Sequence, residues 1–547
     1  MSARYYKGRE VLKEYKQGRL VYEKSTSIPD YLCFTALEAG QFTLTIPAAV
    51  TATYLSYVEW SKDGKTWTHT DNTSEAVTID VQVAQGEKVY WRGSGNSTAM
   101  GVTVGTQNSQ FSSSARFDVS GNIMSMLFAD DFEGQLVLPN VRYSFTALFR
   151  NCNKLVSAEN LLLPAMTLRV ECYRNLFLSC SNLVKGIKVL PAMQLMQNCY
   201  LQMYGACTSL VEGTEIPATT AVSQCCYGMY TGCSSLTIPK PILFTNTASY
   251  CCYQMYRFCT SLEVAPDLTQ ATLADNCFRQ MFKGCTKLKY IKCLATNISA
   301  TQCLLEWCDG VSSTGTFIQA EGVTWPRGAS GIPTGWVDVE KRTMPSGYKQ
   351  VEYVANPNYG YININRALNL NSEKVEIAFV KMASGNSCPL GNPTYNYRYG
   401  SLKVINISSA LTIRVGVDYD DQVYKQVSIS PVTADNPHTF QYVGNSSGFQ
   451  LYFDGALKST ETCAWDAVSP YQSNLLFSAN MNAASSPASF HTNPIYYLKI
   501  WDSNNALAVD YVAAIRESDG VAGFYDMAAN TFHKSDNAND FTAGEEI

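Results

Sequence analysis

A cysteine-bearing motif recurs along the middle of the chain at a nearly constant interval. Its copies include CYRNLFLSCSNLV from Cys172, CYLQMYGACTSLV from Cys199 and CFRQMFKGCTKLK from Cys277. The first cysteine of the motif stands at positions 172, 199, 225, 251, 277 and 303, so the period is 26 or 27 residues. Five or more copies at such a period predict a solenoid, in which each unit buries its apolar face only against its neighbours.

The spacing of apolar residues within one copy predicts its local structure. Cys172, Leu176 and Cys180 stand four residues apart, which places them on one side of a helix. Leu183 follows three residues after Cys180, and an equivalent leucine recurs in each later copy. Because prolines such as Pro191 then mark turns, we expect each unit to contain a short helix followed by a short strand.

Sixteen of the 19 cysteines lie between Cys152 and Cys308. A helix would hold Cys172 and Cys180 roughly 12 Å apart, beyond the ~7 Å that a disulfide spans between Cα atoms. Zinc sites favour closer pairs with convergent histidines, whereas this chain repeats C-x₇-C. It contains four histidines: His69, His438, His491 and His533. We therefore expect reduced thiols that fill a core column, with no metal site and no cofactor.

Aromatic residues form a second column along the repeats, at Phe177, Tyr204, Tyr230, Tyr256 and Phe282. Two interpretations are open: an exposed platform for sugar rings, or a buried ladder. Each ring adjoins another apolar residue in sequence, namely Leu176, Met203, Met229, Met255 and Met281. At least one of the two columns must be buried, and the buried ladder is the favoured interpretation.

The motif C-Y-x-x-M-F/Y-x-G-C-T/S-S-L resembles the BspA-like leucine-rich repeats found in surface and phage proteins of gut anaerobes. The resemblance covers about residues 121–336. It implies an entry cap at 121–134 and an exit cap at 315–340, with Trp325 and Trp336 over the last rung. Residues 107–340 are thus expected to form a central α/β leucine-rich-repeat solenoid with caps.

The 106 residues before the repeats divide into two segments. Residues 27–106 predict a small β-sandwich, since Phe42, Leu44 and Ile46 alternate with threonines and Asp63-Gly64 is a hairpin turn signal. Residues 1–26 are basic and rich in tyrosine, and they predict a hairpin that reverses near 17–18. This segment resembles the N-terminal arms by which phage fibre-like proteins dock on the particle. A locally packed terminus is the alternative.

Residues 341–547 predict a second β-domain. Val375, Ile377 and Phe379 alternate with polar residues, as do Leu411, Ile413, Val415 and Val417 further along. The segment resembles the concanavalin-like (LamG-type) jelly roll often found at the ends of phage appendages. The E-x-D-x-x-E motif of that fold's glucanases does not occur in it. Asp418, Asp420 and Asp421 offer a candidate Ca²⁺ site, although a solvated strand end is the favoured interpretation.

The sequence as a whole predicts a multidomain, mainly β chain with a central solenoid. The net charge of −5 gives no electrostatic reason to expect nucleic acid as a partner. The sequence contains no phosphate-binding glycine loop and no G-x-S-x-G motif, so no catalytic residues are assigned. The first residues lack the apolar stretch of a secretion signal, and no apolar run is long enough for a membrane span. We expect synthesis in a host cytoplasm.

These features favour a non-enzymatic bacteriophage virion protein: a tail fibre, a tail-associated protein or a capsid appendage. Its expected partners are other virion proteins through the arm, and a host-surface glycan or protein through the C-terminal half. Further copies of the chain are expected as well, in a homo-oligomer. A bacterial cell-surface adhesin is the first alternative, and a glycan-active enzyme is the second.

Overall fold

The computed structural model of the protein describes residues 5–6, 9–10, 13–16, 19–23, 30–47, 57–71, 75–94, 108–140, 142–355, 362–381, 387–391, 402–407, 410–416, 424–432, 436–465, 473–476, 494–535 and 541–547. These residues divide into two compact units: Met1–Ser312 with Trp325–Gly331, and Ser313–Thr324 with Ile332–Ile547. Helix is limited, in this part of the chain, to α1 (Ser125–Phe128) and a 3-10 turn over Ala129–Phe132. The prediction of a mainly β chain is confirmed. Within the described residues, no helix has the length and apolar character needed to cross a membrane.

The N-terminal segment contains two short strand pairs. β1 (Tyr5–Tyr6) pairs antiparallel with β2 (Arg9–Glu10). β3 (Lys13–Lys16) pairs antiparallel with β4 (Arg19–Glu23), and these two strands flank residues 17 and 18. The predicted hairpin is therefore confirmed for the backbone of this segment.

A two-sheet sandwich follows in the first unit. Its strands are β5 (Leu32–Ala36), β6 (Gly40–Ile46), β7 (Tyr57–Ser61), β8 (Thr68–Asp71), β9 (Val77–Val83), β10 (Lys88–Ser94), β11 (Gln110–Ser113), β12 (Phe117–Asn122) and β13 (Leu155–Leu162). One sheet has the order β13-β12-β5-β10-β7-β8, and the other has the order β11-β6-β9. Phe42, Leu44 and Ile46 are buried, as their alternation predicts. Since β11, β12 and β13 lie beyond residue 106, the sheets include residues that the sequence assigned to the next domain.

The repeats form a stack in which each rung is hydrogen-bonded to the next. The backbone N–H groups of Tyr173 and Asn175 donate to the carbonyls of Cys199 and Leu201 in the following rung, at 3.1 and 2.8 Å. The N–H group of Arg174, which lies between these two residues, instead donates back to the carbonyl of Glu171 at 3.5 Å. The N–H groups along a rung thus alternate: one donates to a carbonyl of the neighbouring rung, and the next donates to a carbonyl within its own turn.

The helix predicted in each repeat is wrong. Every fourth residue has a positive φ, as in Glu171 (62°), Asn175 (56°) and Ser179 (63°), and a right-handed helix cannot contain such residues. The segment is a succession of four-residue turns. Such turns also bring residues four apart to one side, so the spacing of Cys172, Leu176 and Cys180 fits turns as well as a helix. The α/β description of the central region is therefore corrected to turns and β-bridges.

The opposite side of each rung is extended. Parallel β-bridges join equivalent residues of successive rungs, for example Glu212 to Ile238 and Val264 to Tyr290. The strand β14 (Tyr290–Cys293) lies on this side. The predicted short strand is therefore present in the rungs of β13 and β14, and in the other rungs it is reduced to isolated β-bridges.

The second unit contains two large sheets with an apolar core between them. Its strands are β15 (Thr316–Ala320), β16 (Val337–Lys341), β17 (Tyr348–Gln350), β18 (Val354–Ala355), β19 (Ile362–Ala367), β20 (Lys374–Lys381), β21 (Ser387–Gly391), β22 (Leu402–Ile407), β23 (Ala410–Gly416), β24 (Tyr424–Ile429), β25 (Asn436–Asn445), β26 (Gly448–Phe453), β27 (Ala456–Thr462), β28 (Ser473–Leu476), β29 (Ile495–Trp501), β30 (Leu507–Arg516), β31 (Val521–Asp526), β32 (Thr531–His533) and β33 (Thr542–Ala543).

The larger sheet runs β27-β26-β25-β20-β29-β30-β31-β32, and β17, β18 and β33 join it at the side. The smaller sheet runs β19-β28-β21-β22-β23-β24. Val375, Ile377 and Phe379 of β20 are fully buried in the shared core, as their alternation predicts. β15 and β16 form a separate parallel pair. The last strands of the two sheets, β24 and β27, contact each other, and this edge forms the wall of a pocket.

Candidate binding pocket

The aromatic column of the repeats is buried and cannot serve as a sugar platform. Its rings stack at centroid distances of 5.4 to 6.0 Å and continue beyond the repeats at both ends. The ladder consists of Phe111, Phe149, Phe177, Tyr204, Tyr230, Tyr256, Phe282, Trp307 and Trp325, none of them more than 7% exposed. The buried-ladder interpretation is confirmed. Trp325 caps the last rung by stacking on Trp307, whereas Trp336 is buried in the second unit.

The cysteine columns are buried as well. The thiol of Cys180 donates to the carbonyl oxygen of Phe149 at 2.8 Å, and Cys207 repeats this contact with Phe177 one rung later. Burial raises the pKa of Cys152 to about 12 and raises the pKa of Cys180 strongly. Thiols with such pKa values are protonated at neutral pH and are poor nucleophiles. The cysteines of these columns therefore fill the core of the stack.

The other sequence candidates that the structure describes do not form a site. Asp418, Asp420, Asp421 and His491 lie outside the described residues. His69 is exposed on β8, between the carboxylates of Glu59 and Asp71 at 3.0 Å each. Among the residues that the structure describes, no group of three or more His, Cys, Asp or Glu side chains has the geometry of a metal site.

A pocket of about 390 Å³ lies in the second unit, where the last strands of its two sheets meet. This volume is within the range of small-molecule sites. Buried apolar side chains (Ile429, Val432 and Phe453) form part of its wall. The complete lining is Ser313, Thr314, 427–432, His438, Phe453, Asp454 and Lys458.

A histidine–carboxylate pair is fixed at the base of the pocket. His438 is 2% exposed, and its Nδ1 lies 2.9 Å from Oδ2 of Asp454. The other oxygen of Asp454 accepts a hydrogen bond from the backbone N–H of Thr439 at 3.0 Å. The imidazole also stacks on the ring of Phe453, with centroids 4.9 Å apart. A buried polar pair held by three contacts is rigid and suits ligand recognition.

Local sequence explains how the pair is placed. His438 begins the buried part of β25, and Asp454 follows β26 in the turn to β27. Asp454 and Gly455 both have positive φ (51° and 74°), as a type I′ hairpin turn requires. The Asp-Gly signal predicts this turn correctly. It does not predict the pocket, because the lining comes from segments that are more than 100 residues apart in the chain.

The lining supplies donors and acceptors around an apolar wall. Ser428, Ser430 and Lys458 are exposed at its rim, where Lys458 contributes a positive charge and the serines contribute hydroxyl groups. Asp454 contributes the negative charge. Such a mixture suits a neutral ligand with many hydroxyl groups and apolar C–H faces.

Comparison with known proteins gives weak similarities. No protein-family model matches the chain, and no curated protein matches it. Among solved structures, the chain is similar to the binding domain of botulinum neurotoxin serotype D (TM-score 0.22, 10% identity, 29% of this chain and 44% of that one). It is also similar to domains LG4-5 of the mouse laminin alpha1 chain (TM-score 0.21, 10% identity, 30% of this chain and 44% of that one).

A putative carbohydrate binding protein from Bacteroides ovatus matches with a TM-score of 0.27 and 10% identity, over 39% of this chain and 67% of that one. The chain thus spans less than half the length of the toxin and laminin structures. TM-scores of this size do not establish a shared fold or function.

Proposed function

We propose that the chain is a bacteriophage virion protein that binds a neutral glycan of the host surface through the pocket of its second unit. The pocket itself supports this proposal, because it places the buried His438–Asp454 pair beside hydroxyl groups and apolar side chains. A sugar presents hydroxyl groups to such polar side chains and C–H groups to an apolar wall. The contributions of Lys458 and Asp454 cancel in charge, which favours a neutral glycan.

The proposal includes a leucine-rich-repeat type of solenoid for residues 107–340 and a concanavalin-like jelly roll for 341–547. The stacked rungs and the fully buried leucines, such as Leu183, Leu210 and Leu236, support the first assignment. The two facing antiparallel sheets support the second. The turns that replace the helices are a departure from the expected repeat.

The placement on a virion is supported by the likeness of the repeat motif to phage proteins and by the basic N-terminal segment. The strand pairs of residues 5–23 suit attachment by addition to the edge of a partner's sheet. The partners in this proposal are other virion proteins and further copies of the chain.

Binding without catalysis is part of the proposal. Cleavage of a glycosidic bond normally uses two carboxyl groups on either side of the bond. Asp454 is the one carboxylate among the described residues that line the pocket, and its two oxygens are already engaged by His438 and Thr439. We therefore expect no turnover of bound glycan.

An array of neutral glycans, probed with labelled full-length protein, tests the proposal. Ser428 is an exposed rim residue, so Ser428→Trp fills the pocket without disturbing the core. We expect at least a tenfold loss of binding to the glycans that the unmodified protein selects. Gln426→Trp, two residues earlier on β24 and outside the pocket, is the matched control and should bind normally.

Two results would contradict the proposal. The first is equal binding by the Ser428→Trp variant, or no binding of any neutral glycan by the unmodified protein. The second is release of reducing sugar that disappears in Asp454→Asn, since this would assign an enzymatic role to the pocket.

A further inference from the structure

Rungs of the first unit carry a partly exposed group of aromatic and guanidinium side chains that the buried columns do not explain. We call it the tyrosine patch and define it as Tyr227, Tyr250, Tyr253, Arg257, Phe258 and Arg279. The rings of Tyr227 and Tyr253, one rung apart, lie 4.7 Å apart in an edge-to-face arrangement, and Tyr250 lies 5.7 Å from Tyr253. The guanidinium carbon of Arg279 lies 5.7 Å from the centroid of the Tyr253 ring. The patch therefore spans three successive rungs.

Phe258 is not required by the stack. It is 44% exposed, and its ring lies over Gly284 of the next rung, where an added Cβ would meet it at 2.3 Å. The other copies from Cys172 onward carry small residues at the same position: Ser179, Ala206, Gly232, Gly284 and Gly310. The fold accepts glycine at this position, so the exposed ring of Phe258 is available for contact with a ligand.

Backbone conformation supports the same conclusion. Tyr250 and Phe258 both have positive φ, at 58° and 61°. The turns of every rung place residues in this region, and bulky side chains are strained there, so aromatic residues at these positions have a conformational cost. At the position of Tyr250, the other copies from Cys172 onward carry polar residues: Glu171, Asn198, Gln224, Asn276 and Gln302. One rung thus places aromatic rings at two strained positions, and both rings join the patch.

Neither arginine forms an ion pair within the described part of the chain. Most lysines of the stack are paired with carboxylates, as Lys185 is with Glu159 and Lys289 is with Glu263. Arg257 instead lies over the ring of Phe258 at 4.6 Å, and its Nε is buried without a hydrogen-bond partner. Arg279 donates to two neutral oxygens, Oδ1 of Asn276 at 3.2 Å and Oε1 of Gln302 at 2.6 Å.

The charges of both guanidinium groups act on the same phenol, that of Tyr227. Burial raises the pKa of Tyr227, and the neighbouring phenol of Tyr253 raises it further. The positive charges of Arg257 and Arg279 lower it. The carboxylate of Glu306 on the next rung feels the charge of Arg279, but its ion pair at 2.7 Å is with Lys283. The patch therefore combines one exposed and three half-buried rings with two positive charges that form no ion pair among the described residues, in a chain whose net charge is −5.

We propose that the tyrosine patch binds a carboxylated sugar within an acidic glycan. A planar guanidinium pairs with a carboxylate through two parallel hydrogen bonds. The electron-rich faces of tyrosine rings attract the C–H groups of a pyranose, and the phenol hydroxyls bond to its hydroxyl groups. The site lies in the first unit and does not depend on the pocket of the second unit.

The test is a calorimetric titration of the full-length protein with a galacturonate oligosaccharide and with sialyllactose. Arg257→Gln removes one charge and keeps the side-chain length. Phe258→Gly installs the residue that three other rungs carry, so the stack should fold normally. We expect at least a tenfold weaker affinity for the preferred acidic probe in each variant, and weaker binding at higher salt because the contact is electrostatic.

Matched controls separate this site from other sources of binding. Lys185→Gln removes a positive charge elsewhere on the stack, and Ser428→Trp blocks the pocket of the second unit; both should bind the acidic probes normally. Binding of neither acidic probe by the unmodified protein, or undiminished binding in both patch variants, would overturn the proposal. So would equal affinity for the carboxyl-reduced sugar or for a poly-glutamate peptide, because the patch would then not recognise a carboxylated sugar.

Discussion

At the scale of single residues, the cysteine columns show how a reactive side chain becomes core packing. Of the 18 cysteines whose side chains the structure describes, 17 are buried, and Cys463 is partly exposed. Denatured but unreduced protein should therefore yield close to 19 free thiols with a colorimetric reagent, and among the described cysteines of the native protein Cys463 should react first. Recovery of only a few thiols after denaturation would mean a disulfide framework and an oxidising compartment.

Asp30 gives a pH-dependent prediction. Burial, with the charge of Glu133, raises the pKa of Asp30 from 3.8 to about 6. The folded state then binds the proton more tightly than the unfolded state does, so this group contributes stability below about pH 4. That contribution to the free energy of unfolding, about 3 kcal/mol, is lost as the pH rises from about 4 through 6.

The Asp30→Asn variant tests this assignment, because asparagine has no ionisable carboxyl group. Relative to the unmodified protein, its free energy of unfolding should increase by about 2–3 kcal/mol between pH 4 and pH 8. Denaturant titrations of both proteins at the two pH values measure the difference. A difference that is constant with pH would mean that Asp30 is not perturbed.

At the scale of elements, period-2 and turn signals predicted the strands well. The alternations in β6 and β20 are buried as expected, and Asp63-Gly64 and Asp454-Gly455 form hairpin turns. The segment HTFQYVGNSSGFQLYFDG predicts a turn near Gly444-Asn445, and the turn between β25 and β26 lies two residues later, at 446–447. Such local signals are reliable because both the side-chain direction and the turn are fixed within a few residues.

The repeat segments were harder to predict because the deciding interactions join residues about 26 positions apart. Four-residue turns and helices bury the same residues, so the apolar spacing does not distinguish the two structures. The inter-rung hydrogen bonds do distinguish them. The sequence does contain a signal: asparagine, glutamine and glycine recur at the positions of positive φ, as in Asn175, Gln202 and Gly228. The pocket and the tyrosine patch were missed for the same reason, since each is assembled from distant segments.

Leu236 tests the cooperation between rungs. It is fully buried in a middle rung, so Leu236→Ala should lower the free energy of unfolding by about 2–5 kcal/mol. Because each rung is stabilised by its neighbours, hydrogen exchange should accelerate in the adjacent rungs as well. Thr237→Ala, at an exposed neighbouring position, is the control and should change little. Loss of protection confined to one rung would contradict the stacked arrangement.

At the scale of the whole molecule, the proposal assigns attachment to the N-terminal segment. Removal of residues 1–26 should abolish incorporation of the protein into particles, because the strands that would pair with a partner are lost. The soluble protein should keep its thermal unfolding transition, since the sandwich begins with β5 at Leu32. Normal incorporation of the shortened protein, measured by mass spectrometry of purified particles, would show that attachment uses another surface.

The central claim is that this protein attaches a virion to a host glycan through the pocket of its second unit. The most direct measurement is the adsorption rate constant of particles that carry Ser428→Trp, compared with particles that carry Gln426→Trp. With equal incorporation of both variants, the account predicts adsorption at least tenfold slower for Ser428→Trp, and inhibition of the control particles by the free glycan. Equal adsorption by the two kinds of particle would contradict it.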